Sequence, residues 1–430
     1  MASKLTQQMV ITKFLETVTE APIQKSAEWH AIRKTTIGGS EISSVLNINP
    51  FKSRRSLIAD KAGISTLTFN GCLATRWGNM FEQLTREWIQ RISLMDGEIQ
   101  ETGSIEGVIA RQRYSPDGLG VVKLLNENDQ LDDYIVLFEF KAPFSGLPDG
   151  KIPKHYIPQI QTGLLSIPIC DLSIFVNNCY RKCALSNLGF AMTYDTNFHS
   201  GDAKKRRTAS QRFDSVLSCG IIGFYQTKEN YENAIKVLGY GSDSDSEKEI
   251  DSAESYSNYN LDSDINILMN SKDTPLDFGT AKEKTLNRLF ILCEEARVNA
   301  VYYPIILNQE AINDLDFVQT HKKEKPISEI NVKKIIKMQI NQFGDHCDDN
   351  EYMIVGYLPW KLVKSDIIIE TIDETWKEKI EEPIRETLKI IDEIKNSDDP
   401  QSKYYEYYPN TNRITTEDAS VYMADLAMFN

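Results

Sequence analysis

The chain reads as an α/β protein, a central sheet flanked by helices and carrying a large insertion, and three observations predict it. Short apolar runs of strand character at 104–114, 119–125, 134–141 and 172–179 are bounded by turn residues such as Pro, Gly and Asp. Apolar residues recur at helical spacing in Trp77, Phe81, Leu84 and Trp88, and again in Trp376, Ile380, Ile384, Leu388 and Ile391. A Ser/Asp-rich stretch, 241–264, is too polar to bury a core and separates the first set of elements from the last.

Each element has a local reason. Ser26 is placed to cap a short helix carrying Trp29, Ile32 and Arg33, and Gly38, Gly39 and Ser40 form a turn into a second helix at 41–46. A glycine pair at a helix start exposes backbone N–H groups at the positive dipole end, which binds anions, and Arg33 can complete such a pocket. The plainer alternative has Ser40 only capping and Arg33 pairing with an acid such as Glu28. The helix through Trp77 and Trp88 packs its stripe on a sheet, with Glu82 beside the stripe and Arg86 four residues on. Ser115, Pro116, Asp117 and Gly118 carry hairpin chemistry between two strand-like runs.

The run 134–143, YIVLFEFKAP, places an acid and a lysine two residues apart in an apolar strand. Alternation puts Leu137, Glu139 and Lys141 on one face and Phe138 and Phe140 on the other. A buried strand end tolerates a carboxylate beside an ammonium only where they pair or hold a metal. With Asp117 upstream, two hard oxygen ligands and one cation surround one point, an arrangement suited to Mg²⁺, while the lysine orients an attacking water. Downstream, 156–161 leads into a helix through Leu164 and Leu165. Runs 352–361 and 366–372 predict two more strands before the helix at 375–394, and the segment after Asn396 reads as irregular.

Composition sets the remaining bounds. At 430 residues and 41% hydrophobic content a substantial core is available. No apolar run is long enough to span a bilayer and the N-terminus lacks a signal-peptide core, so a soluble, intracellular protein is expected. Seven cysteines without C-x-x-C fit a reducing compartment and buried free thiols; Cys170, Cys179, Cys183 and Cys219 lack the spacing of an iron–sulfur cluster. The net charge of −14 disfavours diffuse polyanion binding, but half of it lies between Asp243 and Asp264, where eight acids are set against one base, Lys248. A nucleic-acid surface would then be a local basic groove, with Lys52, Arg54 and Arg55, and more weakly the basic run 204–207, as candidates.

Five pieces in order, SAEWHAIRKTTIGGSEISSVLNINPF, RWGNMFEQ, SPDG, FEFKAP and HYIPQIQ, resemble the lambda-exonuclease-like, YqaJ-type viral recombinase nucleases of the PD-(D/E)xK superfamily. The version carried by large cytoplasmic DNA viruses such as African swine fever virus is the nearest in pattern. The resemblance implies a restriction-endonuclease-like core with a mixed sheet, its first part in 1–200 and its last strands and helix in 351–396. Residues 201–350 form an insertion or accessory lobe, and 397–430 a C-terminal tail. It implies Asp117, Glu139, the Phe140 carbonyl and Glu82, in Gly78-x-x-x-Glu82, as ligands of Mg²⁺, with Mn²⁺ as a substitute. Lys141 would position the water, and Gln159 would lie by the scissile phosphate with Tyr156 one turn earlier, Gln161 being the alternative register. Arg33, Gly39 and Ser40 would grip the 5′-terminal phosphate, with Arg54 and Arg55 kept as DNA-binding candidates on the charge argument above.

The implied activity is 5′→3′ digestion of one strand of linear double-stranded DNA, in viral recombination, replication or end processing. The implied partners are duplex ends and a single-strand annealing protein, with no membrane; lambda-type relatives form trimeric homo-oligomers. The host cytoplasm or a viral factory is the implied location. The alternatives on the same fold are a structure-selective endonuclease, a nuclease that also cuts RNA, and a non-catalytic DNA-binding protein.

Overall fold

The computed structural model of the chain describes residues 6–18, 22, 26–64, 73–90, 95–126, 128–144, 146–182, 218–237, 301–306 and 340–409. The acidic stretch 241–264 and the basic run 204–207 lie outside these residues.

Two sheets organise the described chain. A small one joins β1 (Ile37–Gly38), β2 (Ile105–Glu106) and β3 (Gln112–Tyr114) in the order β1-β3-β2. The central sheet is built from β4 (Gly118–Leu125), β5 (Leu131–Lys141), β6 (Leu172–Lys182), β7 (Ser218–Thr227), β8 (Val301–Ile306) and β9 (Tyr352–Glu370). Its order is β4-β5-β6-β9-β7-β8, mixed because β5 and β6 are parallel while the other pairs are antiparallel. A parallel pair needs a crossover, and α6 (Ile157–Ser166) provides it.

The other helices are α1 (Gln7–Thr17), α2 (Ala27–Arg33), α3 (Ile42–Val45), α4 (Arg54–Ala62), α5 (Leu73–Gln90), α7 (Lys228–Val237), α8 (Trp376–Lys395) and α9 (Pro400–Tyr407). Strand alternation divides β5 between two cores. Val136, Phe138 and Phe140 join Trp77, Phe81, Leu84 and Trp88 of α5 on one face, and Ile135 and Leu137 join Ile160 and Leu164 of α6 on the other. A third core packs α8 and α9 on α3 and α4.

Four expectations change. The SPDG turn is not a hairpin tip: β3 pairs within the small sheet and β4 pairs with β5, so the turn carries the chain from one sheet to the other. The two strands expected at 352–361 and 366–372 are one strand, because Leu362, Lys364 and Ser365 keep their pairing to β6 and a register shift between Cys179 and Tyr180 absorbs the extra residue. The span 201–350, set apart as an insertion, contributes β7 and β8 to the central sheet itself. Local signals do not reveal this, because β7 and β8 find their partners across long sequence separations. Finally, the tail is helical over Pro400–Tyr407: Asp399 caps it by accepting from Ser402 N (3.0 Å), Pro400 opens it, and Tyr404 is fully buried.

Phe81 is the keystone of the α5 face. It stacks on Tyr180 at 4.4 Å between ring centroids, lies 4.5 Å from Trp77 and meets Trp360 edge-on at 6.0 Å. Replacing Phe81 by Ala should cost about 3–5 kcal/mol, read as a lower thermal midpoint, whereas Phe81→Leu should recover most of the loss; an unchanged midpoint in Phe81→Ala would contradict this packing.

Candidate active site

The site exists because β1 and β3 run parallel. Ile37 lies opposite Gln112 and Gly38 opposite Arg113, so both strands leave the small sheet at the same end. From there β1 enters the 3₁₀ turn Gly39–Glu41 and β3 enters the turn at 115–117, which brings the glycine turn beside Asp117. A hydrogen bond from Trp29 Nε1 to Ser115 Oγ (3.3 Å) ties α2 to the same place, and Ser26 caps α2 by accepting from Trp29 N at 3.1 Å.

Register then aligns the three central side chains. Gly118 pairs with Phe138 across the antiparallel β4/β5 ladder, which makes Glu139 the next residue opposite Asp117. Opposed residues share a face, and Lys141 shares it through alternation. Phe140 N, facing the edge where β4 begins, donates to Asp117 Oδ2 at 2.7 Å. In a strand the N–H and C=O of one residue project toward the same neighbour, so the Phe140 carbonyl faces that edge too. On the other side of the turn, Arg86 Nη2 holds the Asp117 carbonyl at 2.8 Å and the same guanidinium pairs with Glu101.

Glu139 has no exposed surface. Its Oε1 accepts from Lys141 Nζ and from Gln159 Nε2 (2.6 Å), and its Oε2 accepts from the Tyr114 hydroxyl (3.0 Å). Lys141 Nζ also lies 4.0 Å from Asp117 Oδ2 and 5.1 Å from the centre of the Tyr156 ring. Burial pushes the Glu139 carboxyl up to about 7, and the neighbouring Asp117 adds to the rise against the pull of Lys141. Burial alone would depress Lys141, but Glu139 and Asp117 outweigh it and hold the ammonium charged well past its ordinary range. Burial, then Glu139 and Asp117, likewise raise the Tyr114 phenol, which stays a hydroxyl donor.

A cavity of about 660 Å³ opens over these groups, with Arg33, Gly39, Ser40, Glu82, Asp117 and Gln159 on its wall. Ser40 is exposed to it. The guanidinium of Arg33 rests 4.6 Å from the Trp29 ring and its acidic partner is Glu41, at 3.6 Å. Glu41 also accepts from Gly38 N (2.9 Å) and from Lys61 Nζ (2.8 Å), and Lys61 reaches the carbonyls of Arg33 and Thr36. Burial would raise the Glu41 carboxyl, yet Lys61 and Arg33 beside it hold it below its usual range. Burial dominates for Lys61, which is lowered.

The expected site residues therefore divide. Asp117, Glu139, Lys141, Gln159, Glu82, Phe140, Arg33, Gly39 and Ser40 come together around one cleft. Arg54 and Arg55 do not line it: Arg54 bonds Thr387 (2.9 Å) and pairs with Glu386 (3.1 Å) of α8, and both arginines line a separate cavity beside Tyr407 and Tyr408. Gln161, the alternative to Gln159, is occupied elsewhere, holding Glu370 (2.9 Å), the Thr371 carbonyl (2.8 Å) and Asp373 N (2.7 Å). Sequence reasoning misses Tyr114, Glu41 and Lys61. Of these Lys61 carries a usable signal, since it falls four residues after Leu57 on the apolar face of α4, where a charge needs a partner.

Among the described residues no cluster of three or more His, Cys, Asp or Glu forms an all-protein metal cage. Two carboxylates already converge on one cation, the Lys141 ammonium, and Glu82 lies on the same cleft wall. That donor set fits a hard divalent ion that keeps several waters; Asp117 and Glu139 could hold it, with the Phe140 carbonyl and Glu82 near.

The raised Glu139 carboxyl makes a stability prediction. A carboxyl near 7 in the folded chain and 4.5 when unfolded contributes most below about pH 4.5, and that contribution is lost as pH rises through 7. Glu139→Gln is blind to this titration, so in EDTA its thermal midpoint should gain on the parent's between pH 5 and pH 8. A midpoint difference that stays flat over that range would contradict the buried carboxyl.

Residues 28–166 match the family described as YqaJ-like viral recombinase domain. The chain is 29% identical over 236 residues to Protein D345L of African swine fever virus, covering 51% of this chain and 65% of that one. A second isolate's Protein D345L is 28% identical with the same coverage. The chain thus spans just under two thirds of the length of the curated relatives it matches. A crystal structure of an alkaline exonuclease from Laribacter hongkongensis is similar at 22% identity and a TM-score of 0.28, over 36% of this chain and 74% of that one. The glycine turn, the SPDG turn, β5 and α6 all fall inside the span 28–166 that is similar to the YqaJ-like viral recombinase domain.

Proposed function

We propose that the chain is a metal-dependent nuclease that digests one strand of linear double-stranded DNA in the 5′→3′ direction. The observation that carries the reading is the convergence of Asp117, Glu139 and Lys141 under a cleft whose wall also bears Arg33 and Ser40. One group of residues suits phosphodiester hydrolysis and the other suits a terminal phosphate. Their shared cleft joins the chemistry to a strand end. A role in viral recombination or end processing, with a single-strand annealing protein as partner, follows from the same reading.

Asp117 and Glu139 would hold Mg²⁺ or Mn²⁺, which when bound polarises the scissile phosphate and lowers the pKa of a bound water. Lys141 is flanked by two carboxylates and remains an ammonium, so it acts as a donor and not as a base. It orients the attacking water and compensates charge that grows on the phosphoryl oxygens. Gln159, fixed on the first turn of α6, hydrogen-bonds Glu139 and faces the cleft where that phosphate would lie. Arg33 and Ser40, with backbone N–H groups of the glycine turn, receive the 5′ phosphate. Water adds to phosphorus and loses a proton to solvent, the P–O3′ bond breaks, O3′ leaves on the released nucleotide and takes up a proton from solvent, and the shortened strand keeps a new 5′ phosphate that can refill the same pocket. Lys34, Lys52, Lys61 and Arg113 also line the cleft, Lys52 paired with Asp60 and Lys61 with Glu41, so Lys34 and Arg113 add positive charge to this wall on a chain of net charge −14.

Two experiments test this. Linear duplexes ending in 5′ phosphate or 5′ hydroxyl and a covalently closed circle should be degraded in that order, the circle not at all, and EDTA should stop the reaction; equal cutting of all three would exclude the exonuclease. Lys141→Ala should abolish cleavage with DNA affinity largely kept, while Asp117→Ala should weaken metal binding as well. An active Lys141→Ala protein would remove the lysine from the mechanism.

A further inference from the structure

We infer that Tyr114 is a positioning residue that sets the spacing between the terminal-phosphate turn and the buried Glu139 carboxylate, an inference that rests on the function proposed above. Tyr114 ends β3, immediately before the SPDG turn, and is 1% exposed. Three contacts define it. Its hydroxyl donates to Glu139 Oε2 at 3.0 Å, one of three donors that orient this carboxylate. One flank of its ring lies against Gly39, so close that a Cβ there would overlap Tyr114 Cδ2. The other flank lies against Gly163 of α6, where a Cβ would come within 2.5 Å of Tyr114 Cζ.

Both glycines lack positive φ, so backbone conformation does not require them. What requires Gly39 is the ring, and what requires Gly163 is the ring together with Leu137 Cδ2, which an added Cβ would meet at 2.6 Å. The Gly39–Ser40 turn rests on Tyr114 from one side and α6, which carries Gln159, rests on it from the other. A planar six-membered ring barely deforms, whereas aliphatic side chains of similar volume rotate and leave gaps. The distance from Ser40 to Glu139 is therefore fixed by one rigid body, and its hydroxyl fixes the rotation of the carboxylate at the far end. A strand whose 5′ phosphate is seated at Arg33 and Ser40 is then presented to the metal carboxylates at one set separation. The two functions of the ring and the hydroxyl are separable by mutation.

Two substitutions separate them, read by binding as well as activity. Tyr114→Phe keeps the spacer and removes the donor: Mn²⁺ affinity, measured by calorimetry without DNA, should fall about tenfold. Its preference for a 5′-phosphorylated over a 5′-hydroxyl oligonucleotide duplex, measured by anisotropy in EDTA, should match the parent's. Tyr114→Leu removes the spacer: Mn²⁺ affinity falls similarly and the 5′-phosphate preference drops to near one. Gly39→Ala should also lose that preference in the parent, and regain part of it when combined with Tyr114→Leu, because the shorter side chain makes room for the added methyl.

Unchanged Mn²⁺ affinity in Tyr114→Phe overturns the hold on Glu139. An intact end preference in Tyr114→Leu, or in Gly39→Ala, overturns the spacer. A parent with no end preference overturns the terminal-phosphate reading and the spacer with it, while the Mn²⁺ arm still decides the hydroxyl's role.

Discussion

The site depends on a carboxylate kept where carboxylates are costly. Glu139 is completely buried at the end of a central strand, and it is tolerated because Lys141, Gln159 and Tyr114 donate to its oxygens. Each donor comes from a different part of the fold: the same strand, the crossover helix and the small sheet. The position of Glu139 thus sets where those parts must meet. A charge with three donors and a neighbouring Asp117 is also a charge with little freedom, which is what a ligand for a small, geometrically demanding ion requires.

The small sheet has a purpose that its size conceals. Its pairing of two residues of β1 with β3 orients two turns side by side, and these turns carry opposite chemistry. One presents Ser40 beside Arg33; the other presents Asp117. Glu41 neutralises much of Arg33 and Lys61 in the free protein, and the same carboxylate caps Gly38 N. If the cleft receives a phosphate as proposed, this network holds Arg33 in place for it, and the phosphate shares the arginine with Glu41.

Much of this was legible in the sequence because it is local. The faces of β5 follow from alternation, the stripe of α5 from helical spacing, and the cap of α2 from Ser26. The E-x-K spacing on an apolar strand points to Glu139 and Lys141, and the order of the motifs points to Asp117, Arg33, Ser40 and Gln159. What the sequence hid is non-local. Nothing in SPDG says that it links two sheets, and nothing near Arg54 says that its guanidinium is taken by Glu386, more than three hundred residues away. Tyr114 looks like an ordinary strand residue until Gly39 and Gly163 close on its ring. The place of β7 and β8 in the central sheet is hidden for the same reason, since β8 pairs with β7 and β7 with β9, each partner lying far along the chain.

The central claim is that Asp117 and Glu139 share one divalent ion. Anomalous diffraction from crystals grown with Mn²⁺ tests it most directly. The account predicts one strong peak about 2 Å from an oxygen of each carboxylate, with the Lys141 ammonium displaced from between them but still in the cleft. A peak bound by only one of the two, or none at the site under saturating Mn²⁺, would contradict it.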